Sequence, residues 1–66
     1  MKLANNLKRC RFNHNSMSQA ELAQLVDVTR QTIISIEKGK FIPSTYLALR
    51  IAKVFDLRVE DIFILE

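Results

Sequence analysis

Apolar residues recur along this chain at the three- and four-residue spacing of helices, and the strict alternation expected of strands is scarce. Leu7, Cys10 and Arg11 share one face of a first helix from about Asn5 to His14, which Asn15-Ser16 breaks. Leu22, Ala23 and Val26 supply the buried face of a second, from Gln19 to Val26. A third, from Arg30 to Lys38, buries Ile33 and Ile36 and stops at Gly39, a residue suited to a left-handed C-terminal cap. Pro43 and Ser44 open a fourth from about Thr45 to Phe55, where Leu47, Leu49, Ile51, Ala52 and Phe55 make more apolar surface than one face needs. This fourth helix is expected at the centre of the core. A short fifth helix, about Val59 to Phe63, follows the Asp56-Leu57-Arg58 turn.

The start signals between the second and third helices carry more information than the periodicity. Ser18 with Glu21 reads as a capping box, and Thr29 is a good N-cap. Only Asp27 and Val28 separate the helices, so the second must cross the first steeply and turn its N-terminal end outward. That geometry is a helix-turn-helix, and it offers the second helix of the pair to a DNA groove. With Ile33 and Ile36 pointing in, Arg30, Gln31 and Ser35 face outward. Arg can bind guanine O6 and N7 with two donors, and Gln can bind adenine N7 and N6 with one acceptor and one donor. Without the motif around it, the same face would read as an ordinary solvated one. Ile34, on the side opposite the core, is either a tolerated exposed residue or a contact for a thymine methyl. Gln19, Thr29, Thr32, Lys38 and Lys40 are the phosphate-contact candidates, since such contacts hold register without reading sequence. Lys38 and Lys40 could instead compensate the last-turn dipole of the third helix.

Composition narrows the partner and the setting. With 66 residues the expectation is one domain, residues 1–66, with its motif at about 19–38 and a core small enough to make dimerisation attractive. A net charge of +3 and a pI near 9.4 suit a polyanion without requiring one. Cys10 is the single cysteine, which excludes an internal disulfide; no leader or long apolar run appears, so a cytoplasmic protein is expected, with no membrane contact. Cys10 and His14 stand at i and i+4 but have no second pair to complete a metal site, so they read as a core thiol and a surface imidazole. No cofactor, metal or small-molecule ligand is expected. Nor is enzymatic activity: Asp27, Glu37 and His14 are scattered, and no glycine-rich phosphate loop is present. The closing DIFILE is too apolar for a free tail. Either it packs on its own domain, as a short strand beside Lys2-Leu3-Ala4, or Ile62, Phe63, Ile64 and Leu65 form part of a two-fold partner surface.

Gln19 to Lys38, with Lys40 and Pro43-Ser44, resembles the phage repressor and Cro-type helix-turn-helix family. Gln19 stands where that family often opens the first motif helix with Gln, Ala23 is the small residue at the helix contact, and Glu37-Lys38-Gly39-Lys40 is similar to the family's closing E-[NK]-G-K. PSTYLALRIAKVFDLRVEDIF resembles its fourth and fifth helices, and the length and apolar tail come nearest to small stand-alone cytolysin-repressor-like members. Two departures stand out: Asp27 replaces the usual turn Gly, and the connection at Asn15-Ser16 is one residue longer. Asp tolerates the left-handed backbone such a turn needs better than most residues do. The resemblance implies a compact all-α, five-helix lambda-repressor-like fold, with a short terminal β pairing as an option. It implies a transcriptional regulator, a repressor that binds double-stranded DNA as a homodimer, with Lys40 on a phosphate and Arg11 clamped structurally to Glu37. The alternative within the same fold is a protein-binding antitoxin or coregulator.

Overall fold

Three helices of this chain begin at a side-chain hydroxyl. In the computed structural model, which describes residues 1–66, Ser18 Oγ accepts the Glu21 N–H at 3.0 Å while the Glu21 carboxylate accepts the Ser18 N–H at 2.9 Å. Thr29 accepts from the Thr32 N–H at 3.2 Å, and Ser44 from Leu47 at 3.1 Å. Each cap satisfies a donor that a helix start would otherwise leave open.

The elements follow in the order β1 (Leu3–Asn5), α1 (Leu7–Asn13), α2 (Gln19–Leu25), α3 (Arg30–Glu37), α4 (Thr45–Phe55), α5 (Val59–Ile62) and β2 (Phe63–Leu65). The fold is an all-α five-helix bundle closed by a two-stranded antiparallel sheet that ties the chain ends together. Leu3 pairs with Leu65, Ala4 with Ile64 and Asn5 with Phe63. Asn5 and Phe63 therefore belong to strands rather than to the first and fifth helices. Ladder pairing removes Asn5 from α1, and Asn6 takes the N-cap position. The Asn5 and Asn6 side chains fix this corner: Asn5 Nδ2 donates to the Ile36 carbonyl and Asn6 Nδ2 to that of Asp61, each at 3.0 Å.

One core gathers Leu7 of α1, Leu22, Ala23 and Val26 around α2, Ile33 and Ile36 of α3, Leu47, Ala48, Ile51 and Ala52 of α4, and Ile62 and Phe63. Every helix contributes, and α4 contributes most. Leu49 is the exception to the expected α4 core: its side chain is 56% exposed. At 100° per residue it stands with Tyr46 and Lys53, off the face that buries Leu47, Ala48, Ile51 and Ala52. Phe55 is half-buried and takes the His14 ring edge-on, with centroids 5.6 Å apart. Cys10 is half-buried too; its Sγ lies 3.5 Å from Asn6 Oδ1, and burial pushes its thiol pKa up.

The chain turns through left-handed backbone with a single glycine. Gly39 ends α3 at φ 74°, while Asn15, Ser16, Asp27 and Asp56 adopt φ of 55°, 52°, 61° and 54°. Asp27 thus performs the turn that the family usually gives to Gly, and the longer connection closes with two consecutive left-handed residues. Asn and Asp make this conformation cheaper because their short polar side chains bond locally.

Candidate nucleic-acid interface

Position of the α2–α3 pair depends on a half-enclosed cluster behind it. Arg11 reaches from α1 to the last turn of α3, where Nε donates to Glu37 Oε2 at 2.6 Å and NH2 to Oε1 at 3.1 Å. Its third donor, NH1, bonds the Met17 carbonyl just before α2, at 2.8 Å. The two side chains are only 11% and 9% exposed, so this bidentate pair is largely withdrawn from water. Gln19 joins it: Nε2 donates to Glu37 Oε1 at 3.0 Å. One carboxylate therefore holds α1, the start of α2 and the end of α3 in a fixed arrangement. Sequence spacing marks none of the Gln19 and Met17 contacts, because they join residues that meet only after the helices cross.

Gln19 also faces α3. Its Oε1 accepts from Arg30 NH2 at 3.4 Å, so the amide lies between the buried clamp and the first residue of α3. One Nε2 hydrogen remains for another acceptor. Arg30 and Gln31 are exposed on the first turn of α3, while Ser35 is half-buried one turn further on. Ile34 is half-buried as well, rather than standing fully out on the side opposite the core. Thr29 and Thr32 occupy the N-terminal edge, with their hydroxyls 3.1 Å apart. Lys38, Gly39 and Lys40 lie exposed at the other end, where the Lys40 N–H bonds the Ser35 carbonyl at 2.9 Å and folds the chain back along α3.

Charge on this surface is unopposed. The ion pairs of the structure are Arg11–Glu37 and Arg58–Asp61, so Arg30, Lys38 and Lys40 have no carboxylate within bonding distance. A hydrogen-bonding helix face flanked by free cations can meet base edges at its centre and phosphates at its margins.

The C-terminal candidates divide. Ile62 and Phe63 are buried in the domain's own core, which corrects their expected place on a partner surface: α5 and β2 fold them inward against α1 and α4. Ile64 and Leu65 remain exposed, Leu65 at 67%. No group of three or more His, Cys, Asp or Glu could hold a metal ion, and no helix is long and apolar enough to cross a membrane.

The arrangement is that of a helix-turn-helix regulator domain. The helix-turn-helix family model matches residues 7–62, and the chain belongs to that family. It is similar to an uncharacterized HTH-type transcriptional regulator of Methanocaldococcus jannaschii, 53% identical over 64 residues covering 97% of this chain and 96% of the relative. YgzD of Bacillus subtilis, an uncharacterized HTH-type transcriptional regulator, is 50% identical over 58 residues, 88% of this chain and 83% of its own. A third such regulator, from Archaeoglobus fulgidus, is 52% identical over 58 residues, 88% and 78% of the two chains.

Proposed function

We propose that this protein is a sequence-specific repressor that binds a two-fold related double-stranded DNA site as a homodimer, in the manner of Cro-type regulators. The observation that carries the reading is the exposed first turn of α3. Arg30 and Gln31 stand there, Arg30 bonded to Gln19 of the Arg11–Glu37–Gln19 cluster behind it, with the unpaired Lys38 and Lys40 at the far end of the helix. Arg30, Gln31 and Ser35 read base edges. Gln19, Thr29, Thr32, Lys38 and Lys40 contact phosphates. Occupying a promoter is the simplest mechanism for so small a domain, and it needs no catalytic group.

Two-fold binding rests on dimensions and on leftover apolar surface. A domain 30 Å in its longest extent presents one recognition helix, whereas half-sites one turn apart require two, about 34 Å from each other. Leu65 of β2 shares a surface depression with Leu3, Pro43, Leu49 and Val59, so the exposed tail continues on to α4. This is the face for the second copy; Ile64, whose side chain alternates to the other side of β2, is the second exposed apolar residue of the tail. Sedimentation velocity at tens of micromolar, with and without a promoter duplex, tests it. A dimer that Leu65→Lys converts to monomer is expected; a wild-type chain that stays monomeric in both conditions removes the dimer.

The same apolar surface favours one rival, a protein-binding antitoxin or coregulator. A gel shift with promoter DNA, set against co-purification with a partner chain, separates the two.

A further inference from the structure

Arg50 of α4 is half-buried with no carboxylate to face. Its NH2 donates to the Leu25 carbonyl at 3.2 Å, which satisfies an open acceptor at the end of α2. NH1 donates to the Tyr46 hydroxyl at 3.3 Å, and the guanidinium carbon lies 5.7 Å from the centre of that ring. These contacts fix the guanidinium and leave Nε and one hydrogen on each terminal nitrogen open to another acceptor. Lys53 follows one turn later, exposed and likewise without an ion pair. Glu60 borders a neighbouring depression with Lys53 but makes no ion pair with it.

Between these cations the surface is apolar. Leu25, Leu49 and Val54 line one depression with Tyr46, Arg50 and Lys53, and the two leucines are 53% and 56% exposed. Fixed, unpaired cations on the rim of an apolar floor suit a ligand that carries both carboxylates and apolar side chains. A DNA backbone supplies the anions but leaves the leucines uncovered. It is also engaged elsewhere in the reading above, because Gln19 and Arg30 meet at the start of α2 and Leu25 ends that helix. A second copy fits no better, since a two-fold axis through this groove would set Arg50 and Lys53 against their own copies.

From this we infer that the α2–α4 groove docks an acidic amphipathic helix of a partner protein. Its apolar side chains cover Leu25, Leu49 and Val54, and its carboxylates meet Arg50 and Lys53. The first turn of α3 stays uncovered, so the site is independent of whatever α3 binds.

The test titrates the isotope-labelled full chain with a synthetic helical peptide that carries Leu at i, i+3, i+4 and i+7 and Glu on both flanks of that stripe. A copy with Gln in place of every Glu serves as its neutral counterpart. Amide resonances of Leu25, Leu49, Arg50 and Lys53 are expected to shift while those of Arg30 and Gln31 stay in place, and the Gln copy should bind at least about fivefold more weakly. Lys53→Glu is an exposed change that should leave the melting temperature unaltered. It should weaken the Glu peptide about fivefold and bind a Lys-bearing copy better than the wild type does, a reversal that a merely structural role would not produce. Absence of binding overturns the proposal, as does equal binding of the Glu and Gln peptides. Shifts centred on Arg30 and Gln31 would show the peptide imitating a nucleic acid. Shifts of the groove amides on concentrating the protein alone would assign the groove to a second copy, and the same shifts with a promoter duplex would assign its cations to phosphates; each result overturns the acidic partner.

Discussion

Replacing Arg11 with Ala removes the one cation that faces a carboxylate only 9% exposed. Three bonds are lost: two to Glu37, at 2.6 and 3.1 Å, and one to the Met17 carbonyl at 2.8 Å. Glu37 keeps the Gln19 amide at 3.0 Å, so its charge is stranded but not wholly unsolvated. Breaking one side of a buried pair costs about 3–5 kcal/mol, and the remaining amide with residual water access points to the lower end, about 3 kcal/mol. A chain of 66 residues has a total stability of about 3–10 kcal/mol. The variant should therefore sit near its unfolding threshold. Its melting temperature should fall by roughly 12–24 °C, because each kcal/mol moves a domain of this size by about 4–8 °C. Thermal melting followed by circular dichroism measures this directly. A double-mutant cycle with Glu37→Ala should return a coupling of more than about 1 kcal/mol. If Arg11→Ala melts like the wild type yet no longer binds DNA, the clamp is not structural and Arg11 is itself a DNA contact.

Other consequences are equally open to measurement. Arg30→Ala and Gln31→Ala should each cost about 1–3 kcal/mol of specific binding while sparing non-specific binding; unchanged operator preference in a competition assay would remove that residue from base reading. Asp27→Gly should stabilise the fold by up to about 1 kcal/mol, since Gly takes a φ of 61° without the Cβ penalty, and a lower melting temperature would show that the Asp side chain itself matters. Glu21 and Asp61 have pKa values lowered, Glu21 chiefly by the Ser18 backbone N–H and Asp61 chiefly by the Arg58 side chain. Groups with depressed folded pKa values stabilise above the ordinary carboxylate range, and that contribution is lost as pH falls through the folded values. Acid melting curves should accordingly be shallower for Glu21→Gln with Asp61→Asn than for the wild type, and identical curves would show that neither cap contributes.

Most of the fold was legible because its signals are local. The Ser18–Glu21 box, the Thr29 and Ser44 caps and Gly39 each act within one turn, and α2, α3 and α4 begin at the residues they indicate. The ends were less legible. Asn5 and Phe63 read as helical from spacing, but pairing across the whole chain length claims both, and no local pattern reports a partner 58 residues away. Leu49 failed for a different reason. Apolar composition placed it inside, while the angular position of α4 is decided by Leu47, Ala48, Ile51 and Ala52 together. The candidate interface shows the same division. Its outward residues follow from the phase of Ile33 and Ile36, but Gln19's double engagement with Glu37 and Arg30 arises only where three helices meet.

The central claim is that α3 reads the major groove, and the most direct measurement is selection of bound sequences from a random duplex library. Bound duplexes should then be challenged by methylation of guanine N7, which occupies the groove edge that Arg30 would bond. The account predicts a two-fold sequence with half-sites one helical turn apart, binding blocked by methylation within each half-site, and loss of the preference in Arg30→Ala. A library that emerges without enrichment, or a selected site whose binding is indifferent to major-groove methylation and to Arg30→Ala, would contradict it.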